Sequence, residues 1–158
     1  MKQAIICDLD GTLFDITERL KFIQGETKDW KSFSDPKKIA ELDEVNEWCA
    51  LLLDGFYCKK HRECDDIEII FVSGRMKKKG VEFITWESIR RAVGTEDFQL
   101  HMRDDKDYRD DTVIKKELYE QHIKGKYNVL FVIDDRKKVV DMWRNEGLVV
   151  LHCAEGNF

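Results

Sequence analysis

One proline, Pro36, occurs in 158 residues, and no internal repeat, low-complexity tract or linker-like stretch interrupts the chain. At this length a single domain over residues 1–158 with one core is expected. No apolar run approaches a membrane span, and the first residues lack a signal-peptide pattern, so a soluble, cytoplasmic protein without a membrane partner is expected. The cysteines (Cys7, Cys49, Cys58, Cys64, Cys153) are odd in number and scattered, which argues against a disulfide framework. Cys58, His61 and Cys64 make C-x2-H-x2-C, with Cys49 as an available fourth zinc ligand. That spacing lacks the two separated close pairs of most structural zinc sites, and a helix end with its turn accounts for it better. A basic excess is also missing: the net charge is −5, so the global field does not announce nucleic-acid binding. Nor is there a G-x-x-x-x-G-K-[ST] stretch, which excludes a P-loop nucleotide hydrolase.

What is present is the balance of a globular protein, 42% apolar and 37% charged. Short apolar runs recur: "AII" before Asp8, "IEIIFV" at 67–72, "VLFVI" at 129–133, "LVVL" at 148–151 and, weaker, "FQLHM" at 98–102. Such runs, bounded by charged or turn residues, suit buried parallel strands. Helical spacing links Phe83, Ile84, Trp86, Ile89 and Val93, with Gly94 as a C-cap, then Val113, Ile114, Leu118 and Ile123, then Val139, Val140 and Trp143. On this pattern Trp86 and Trp143 belong to the core. One further helix is predicted from about Ile39 to Phe56, on Leu42, Val45, Trp48, Leu52 and Leu53. Residues 15–35 read as irregular or partly helical. The alternation predicts an α/β three-layer sandwich with a mainly parallel sheet, and the carboxyl ends of its strands are the expected ligand site.

Three of those ends carry residues that packing alone would not select. The first leads into Asp8 and Asp10, the second into Ser73-Gly74-Arg75, the third into Asp134-Asp135-Arg136. An aspartate that caps a helix, or a serine–glycine turn, explains any one of them; their convergence on one sheet edge is a different matter. Crowded carboxylates need a cation or lose their charge, and oxygen-only ligands favour a hard ion such as magnesium, a natural companion of phosphate. Gly11 and Thr12 offer N–H groups and a hydroxyl to an anion. The chemistry that remains is phosphoryl transfer through an aspartate nucleophile.

"DLDGT" at 8–12, "VSG" at 72–74, Lys115 and "DD" at 134–135 resemble, in order and spacing, the four signature motifs of the haloacid dehalogenase superfamily. More narrowly, "VSGR", "DYRDDTVIK" at 107–115, "IDDRKKVVDMWRNEGL" at 133–148 and the ending "AEGNF" are similar to the phosphatase domain of phage polynucleotide kinase/3′-phosphatases. The resemblance implies a Rossmann-like haloacid-dehalogenase fold with a small helical cap insert at about 15–66, and a phage or bacterial source. It implies Asp8 as nucleophile and Asp10 as the acid, then the base. Ser73 and Lys115 would hold phosphoryl oxygens, and Asp111 would position Lys115 or Arg75 unless it merely caps a helix. Arg19 and Arg75, with Thr12, Gly74, Arg109 and Arg136, would line the substrate. Asp8, Asp10 (through a nearby main-chain carbonyl), Asp134 and Asp135 would make the magnesium site.

The implied activity removes a 3′-terminal phosphate, including a 2′,3′-cyclic one, from DNA or RNA ends, in working partnership with a kinase and a ligase. These residues contain no kinase half, so 5′-kinase activity is not expected from them. "MKKKG" at 76–80 reads either as a solvated loop or as a contact for upstream phosphates. Trp30 and Phe33 are candidates to stack on a terminal base. Two alternatives stand beside the polynucleotide reading. One is the same chemistry on a small phosphometabolite or mononucleotide, and the other is a catalytically silent nucleic-acid-binding module, which the presence of both Asp8 and Asp10 disfavours.

Overall fold

The run KQAIIC has no charge after Lys2 and alternates its burial between two faces, as a central strand must. In the computed structural model, which describes residues 1–63 and 67–156 and only the backbone of 58–63, this run is β1, Lys2–Cys7. Its neighbours are β4 (Ile67–Met76) and β6 (Tyr127–Asp134), both parallel to it. Outside them lie β5 (Gln99–Arg103) and β7 (Val150–His152), again parallel, in the order β5-β4-β1-β6-β7.

Helices cover both faces. Ile5, Cys7, Ile69, Phe71 and Ile133 meet Cys49, Leu53 and Tyr57 of α4 (Glu47–Glu63) and Ile89 and Val93 of α5 (Val81–Val93). On the opposite face, Ala4, Ile6, Ile70, Val72 and Val132 meet Tyr119 of α6 (Asp111–His122), Ile123 just beyond it, and Val139 and Trp143 of α7 (Lys137–Asn145). The result is the expected three-layer α/β sandwich. The chain builds outward on one side of β1 and then crosses to the other, and such a switch point opens a crevice at the strands' carboxyl ends.

Between β1 and α4 the chain stays at those ends. It forms a two-residue ladder of β2 (Phe14–Asp15) with β3 (Glu44–Val45) and three short helices, α1 (Thr17–Leu20), α2 (Trp30–Phe33) and α3 (Pro36–Leu42). The continuous helix predicted over 39–56 is therefore two helices broken at Asp43. Periodicity counted Leu42, Val45, Trp48, Leu52 and Leu53 as one apolar stripe, but Val45 and Trp48 are exposed and only Leu53 of the five is fully buried. Asp43 turns inward instead, to two arginines, and that charge pairing overrides the helical pattern. Phe83 and Val113 are likewise exposed, and Trp86 is half-buried on the rim of a groove, whereas Trp143 is fully buried. Cys7, Cys49 and Cys153 are free thiols, and the Cys58/His61/Cys64 spacing lies outside the described residues. Among the described residues no helix is long and apolar enough to cross a membrane.

Candidate active site

Asp8 follows directly on β1, and its N–H bonds the carbonyl of Ile133, which ties the tip of β1 to that of β6. Asp134 ends β6 and Asp135 follows. All three side chains are buried, and one carboxylate oxygen from each lies within 4.8 Å of the others. One cation sits among them. Lys115, projected from α6, donates to Asp8 Oδ1 at 2.6 Å and to Asp134 Oδ2 at 2.8 Å. Two neutral donors complete the frame: the Thr12 hydroxyl reaches Asp8 Oδ2 at 3.1 Å and the Trp143 indole N–H reaches Asp134 Oδ2 at 3.2 Å. The Arg136 N–H takes Asp134 Oδ1 at 3.2 Å.

Three carboxylates against one ammonium leave two negative charges uncompensated. Burial, reinforced by the neighbouring carboxylates, pushes Asp8 above the ordinary carboxylate range and Asp135 up to about 6. Burial works against the charge of Lys115, but Asp134 and Asp8 outweigh it and hold the ammonium protonated. Asp135 Oδ1 is buried and has no hydrogen-bond partner among the described residues. The backbone closes tightly on the same side chain, since a Cβ at either Gly11 or Gly156 would lie 2.2 Å from Asp135 Oδ2. An oxygen-only donor set, a charge deficit of two and an orphaned carboxylate oxygen fit a hard divalent cation.

Asp10 stands apart from this cluster. Its Oδ1 accepts from Arg19 Nη2 at 2.8 Å and Arg75 Nε at 2.9 Å, with a further contact from Arg75 Nη2. Behind the arginines, Asp43 accepts from Arg19 Nε at 2.7 Å and Arg75 Nη2 at 2.6 Å. Arg19 is fully buried, its guanidinium 4.5 Å above the Phe33 ring and its Nη1 on the Phe33 carbonyl. Burial raises the Asp10 carboxyl, but the two arginines prevail and hold it well below the usual carboxylate range. The arginines thus hold the Asp10 side chain, and its expected share in the metal site stays with a nearby main-chain carbonyl.

A third arrangement involves Asp111, whose carboxylate lies between Arg103 and Arg136. It does not bond Lys115 or Arg75, as expected of it, and the helix cap is Asp110, which accepts from the Thr112 N–H at 3.0 Å. Arg103 also donates to the carbonyls of Gly74, Asp107 and Arg109. Gly74 is needed for close approach, since a Cβ there would lie 2.8 Å from Asp111 Oδ1. Ser73, buried at the tip of β4, accepts from the Arg75 N–H at 3.1 Å. Two expected substrate contacts are otherwise occupied: the Thr12 hydroxyl is on Asp8, and the guanidinium of Arg109 is held by Asp107 and Glu117. Trp30 is exposed, and Phe33 is committed to Arg19.

Sequence reasoning passed over Asp43, Arg103 and the polar function of Trp143. An aspartate that breaks an apolar stripe was the available signal for Asp43. Nothing local marks Arg103, whose partners come from three other segments.

The family model for the polynucleotide kinase PNKP phosphatase domain matches residues 2–158. A protein of Autographa californica nuclear polyhedrosis virus, described as a bifunctional polynucleotide kinase/RNA ligase, is 33% identical over 144 residues, 90% of this chain. Two solved structures, of the Pnkp1/Rnl/Hen1 RNA repair complex and of the Pnkp1/Rnl/Hen1 complex, each share 34% identity over the full chain, with TM-scores of 0.72 and 0.71. The chain spans 18% of the viral relative and 44% and 48% of the two structural ones.

Proposed function

Because the chain belongs to the polynucleotide kinase PNKP phosphatase domain family, a family of phosphoric monoester hydrolases, we propose that it is a magnesium-dependent 3′-phosphatase acting on polynucleotide ends, RNA ends foremost. The observation that carries the reading is the buried Asp8–Asp134–Asp135 cluster around Lys115, with Asp10 two residues from Asp8 and turned to a separate pair of arginines. We take residues 1–158 as one phosphatase domain with about 15–66 as its insert; because α4 packs Cys49, Leu53 and Tyr57 on the sheet, the cap proper is the stretch before it.

In this reading an Asp8 oxygen attacks the terminal phosphorus in line, and the bond from phosphorus to the 3′-oxygen breaks. The departing oxygen keeps the electron pair and takes a proton from Asp10. A water then gives its proton to Asp10 and attacks the aspartyl-phosphate, which releases phosphate and restores Asp8. The arginine pair bears on both proton transfers. It keeps Asp10 ionised before substrate arrives, and an anionic phosphate that draws on the same arginines raises the affinity of Asp10 for a proton, taken up from solvent as substrate binds, which it then donates. Lys115, already beside Asp8, offsets charge that develops on the phosphoryl oxygens, and Ser73 lies at the adjoining strand tip. Asp111 acts through Arg103 and Arg136, so it is a positioning residue. Asp8, Asp134 and Asp135 would hold magnesium, which when bound supplies the two missing positive charges and keeps Asp8 ionised.

RNA is favoured as substrate by the RNA ligase in the viral relative's description and by the RNA repair complex among the structural relatives. The same names support a partnership with a kinase and a ligase that join the healed ends.

The test is phosphate release with magnesium from a 3′-phosphorylated RNA oligonucleotide, its DNA counterpart and a nucleoside 3′-monophosphate. Turnover is expected to be best on the oligonucleotides, and Asp8→Asn should lower it by at least about 10³-fold, as loss of a nucleophile does. Equal or better turnover of the mononucleotide would replace the polynucleotide reading with a small-molecule one.

A further inference from the structure

Two openings flank the strand tips, and they differ in charge. One, of about 430 Å³, is lined by Asp15, Asp135 and Glu155 beside Gly11 and Trp48. The other, of about 630 Å³, lies between the end of β4 and the start of α5 and is lined by Lys77, Lys78, Lys79, Phe83 and Trp86, with Glu82 its one acidic residue. Without a divalent cation at Asp135 the first disfavours a polyanion, whereas the second attracts one with or without that cation. Resting on the phosphatase reading above, we propose that the second opening is the track for the substrate strand. Nucleotides 5′ to the terminal phosphate lie along it, their phosphates on the lysines and a base against Phe83 and Trp86.

The chain connectivity supports this. Arg75, which reaches Asp10 in the active centre, is the penultimate residue of β4, and one residue separates it from Lys77 at the edge of the groove. A strand whose end is at Asp10 thus meets the lysines directly upstream. The lysine charges are largely uncommitted. Lys77 is 3.6 Å from Asp104, an exposed and weak pair, and Lys78 donates to the neutral Ser34 hydroxyl at 3.0 Å. Lys79 is exposed, and no carboxylate among the described residues pairs with it. Phe83 is 70% exposed although it sits on a helix with a well-buried apolar stripe, and Trp86 is half-buried beside it. An exposed Phe83 and a half-buried Trp86 beside three lysines form a surface suited to single strands, where each base offers a face to stack and each phosphate a charge to neutralise. In a chain of net charge −5, the concentration of lysine here is local.

The experiment compares Lys77→Ala/Lys79→Ala, Phe83→Ala and a distant control, Lys124→Ala/Lys126→Ala, on a 3′-phosphorylated RNA decamer and on a nucleoside 3′-monophosphate, across a salt series. For the groove lysine pair, KM on the decamer is expected to rise about tenfold with kcat unchanged, and the slope of log kcat/KM against log salt to become shallower by about 1.4, from two lost phosphate contacts. Phe83→Ala should raise KM without changing that slope. The mononucleotide should respond to none of these changes, and the control pair should behave as wild type. A decamer preference that survives both groove variants overturns the track and leaves the phosphatase reading standing, as does an equal effect from the control pair. Loss of any decamer preference in the wild-type protein overturns the polynucleotide reading itself.

Discussion

In the proposed mechanism Asp10 must be ionised to accept a proton from water and protonated to give one to a leaving alkoxide. Arg19 and Arg75 hold its carboxyl well below the usual range in the free protein, and a phosphate that draws on them would raise its affinity for a proton. Asp10→Asn removes both transfers, and each is worth about 10²–10⁴-fold for a well-placed group. We expect kcat/KM on a nucleoside 3′-phosphate to fall in that range, and to fall much less on p-nitrophenyl phosphate, whose leaving group departs without a proton. Equal losses on both esters would remove the acid role. Asp8, two residues away, lies in a different environment. It faces Lys115 and two carboxylates where burial disfavours charge, and as the proposed nucleophile it would have to stay ionised there.

At the scale of elements, the break between α3 and α4 is the informative feature. The chain gives up a continuous helix so that Asp43, its side chain 4% exposed, can meet both arginines. Two guanidiniums that deep need two carboxylates, and Asp10 alone supplies one. Asp43→Ala should therefore destabilise the fold by about 3–5 kcal/mol in urea unfolding, the usual effect of stripping one partner from a buried ion pair, with Asp43→Asn closer to wild type. A change below about 1 kcal/mol for the alanine variant would show that solvent replaces the carboxylate freely. The start of α6 works in a similar way: Asp110 caps the helix, which frees Asp111 to join Arg103 to Arg136.

For the whole molecule, the carboxylate cluster should make stability depend on pH and, with magnesium in the proposed site, on the cation as well. Asp135 is raised to about 6, above its unfolded value near 3.8, so it contributes stability that is fully present below about pH 4 and is lost as pH rises through 6. Metal-free protein should accordingly melt at a lower temperature at pH 7 than at pH 5. Magnesium should reverse the order. At a concentration 100-fold above its Kd it adds about 2.7 kcal/mol, or roughly 5–10 °C in Tm for a chain of this size, and less at pH 5 where protons compete for the same oxygens. Thermal unfolding with chelator and with magnesium at both pH values checks this, and Asp135→Asn should flatten the metal-free difference. A magnesium effect of equal size at pH 5 and pH 7 would exclude Asp135 from the cation site.

The sequence by itself determined the sheet and the active edge. Buried parallel strands are short apolar runs, and polar residues just past them stand out locally, so Asp8, Asp10, Ser73, Asp134 and Asp135 were legible along with the three helices from α5 to α7. The signal for Lys115 was its place in the family's pattern of motifs. Only the tertiary structure decided which charges compensate which. The Asp10 side chain went to two arginines, Asp43 left an apolar stripe to join them, Asp111 took Arg103 and Arg136, and Trp143 proved to be a donor to Asp134 as well as core. Charge pairing in a low-dielectric interior is a contest among every group within a few ångströms. Those groups come from segments far apart in the chain, so no local pattern records the outcome.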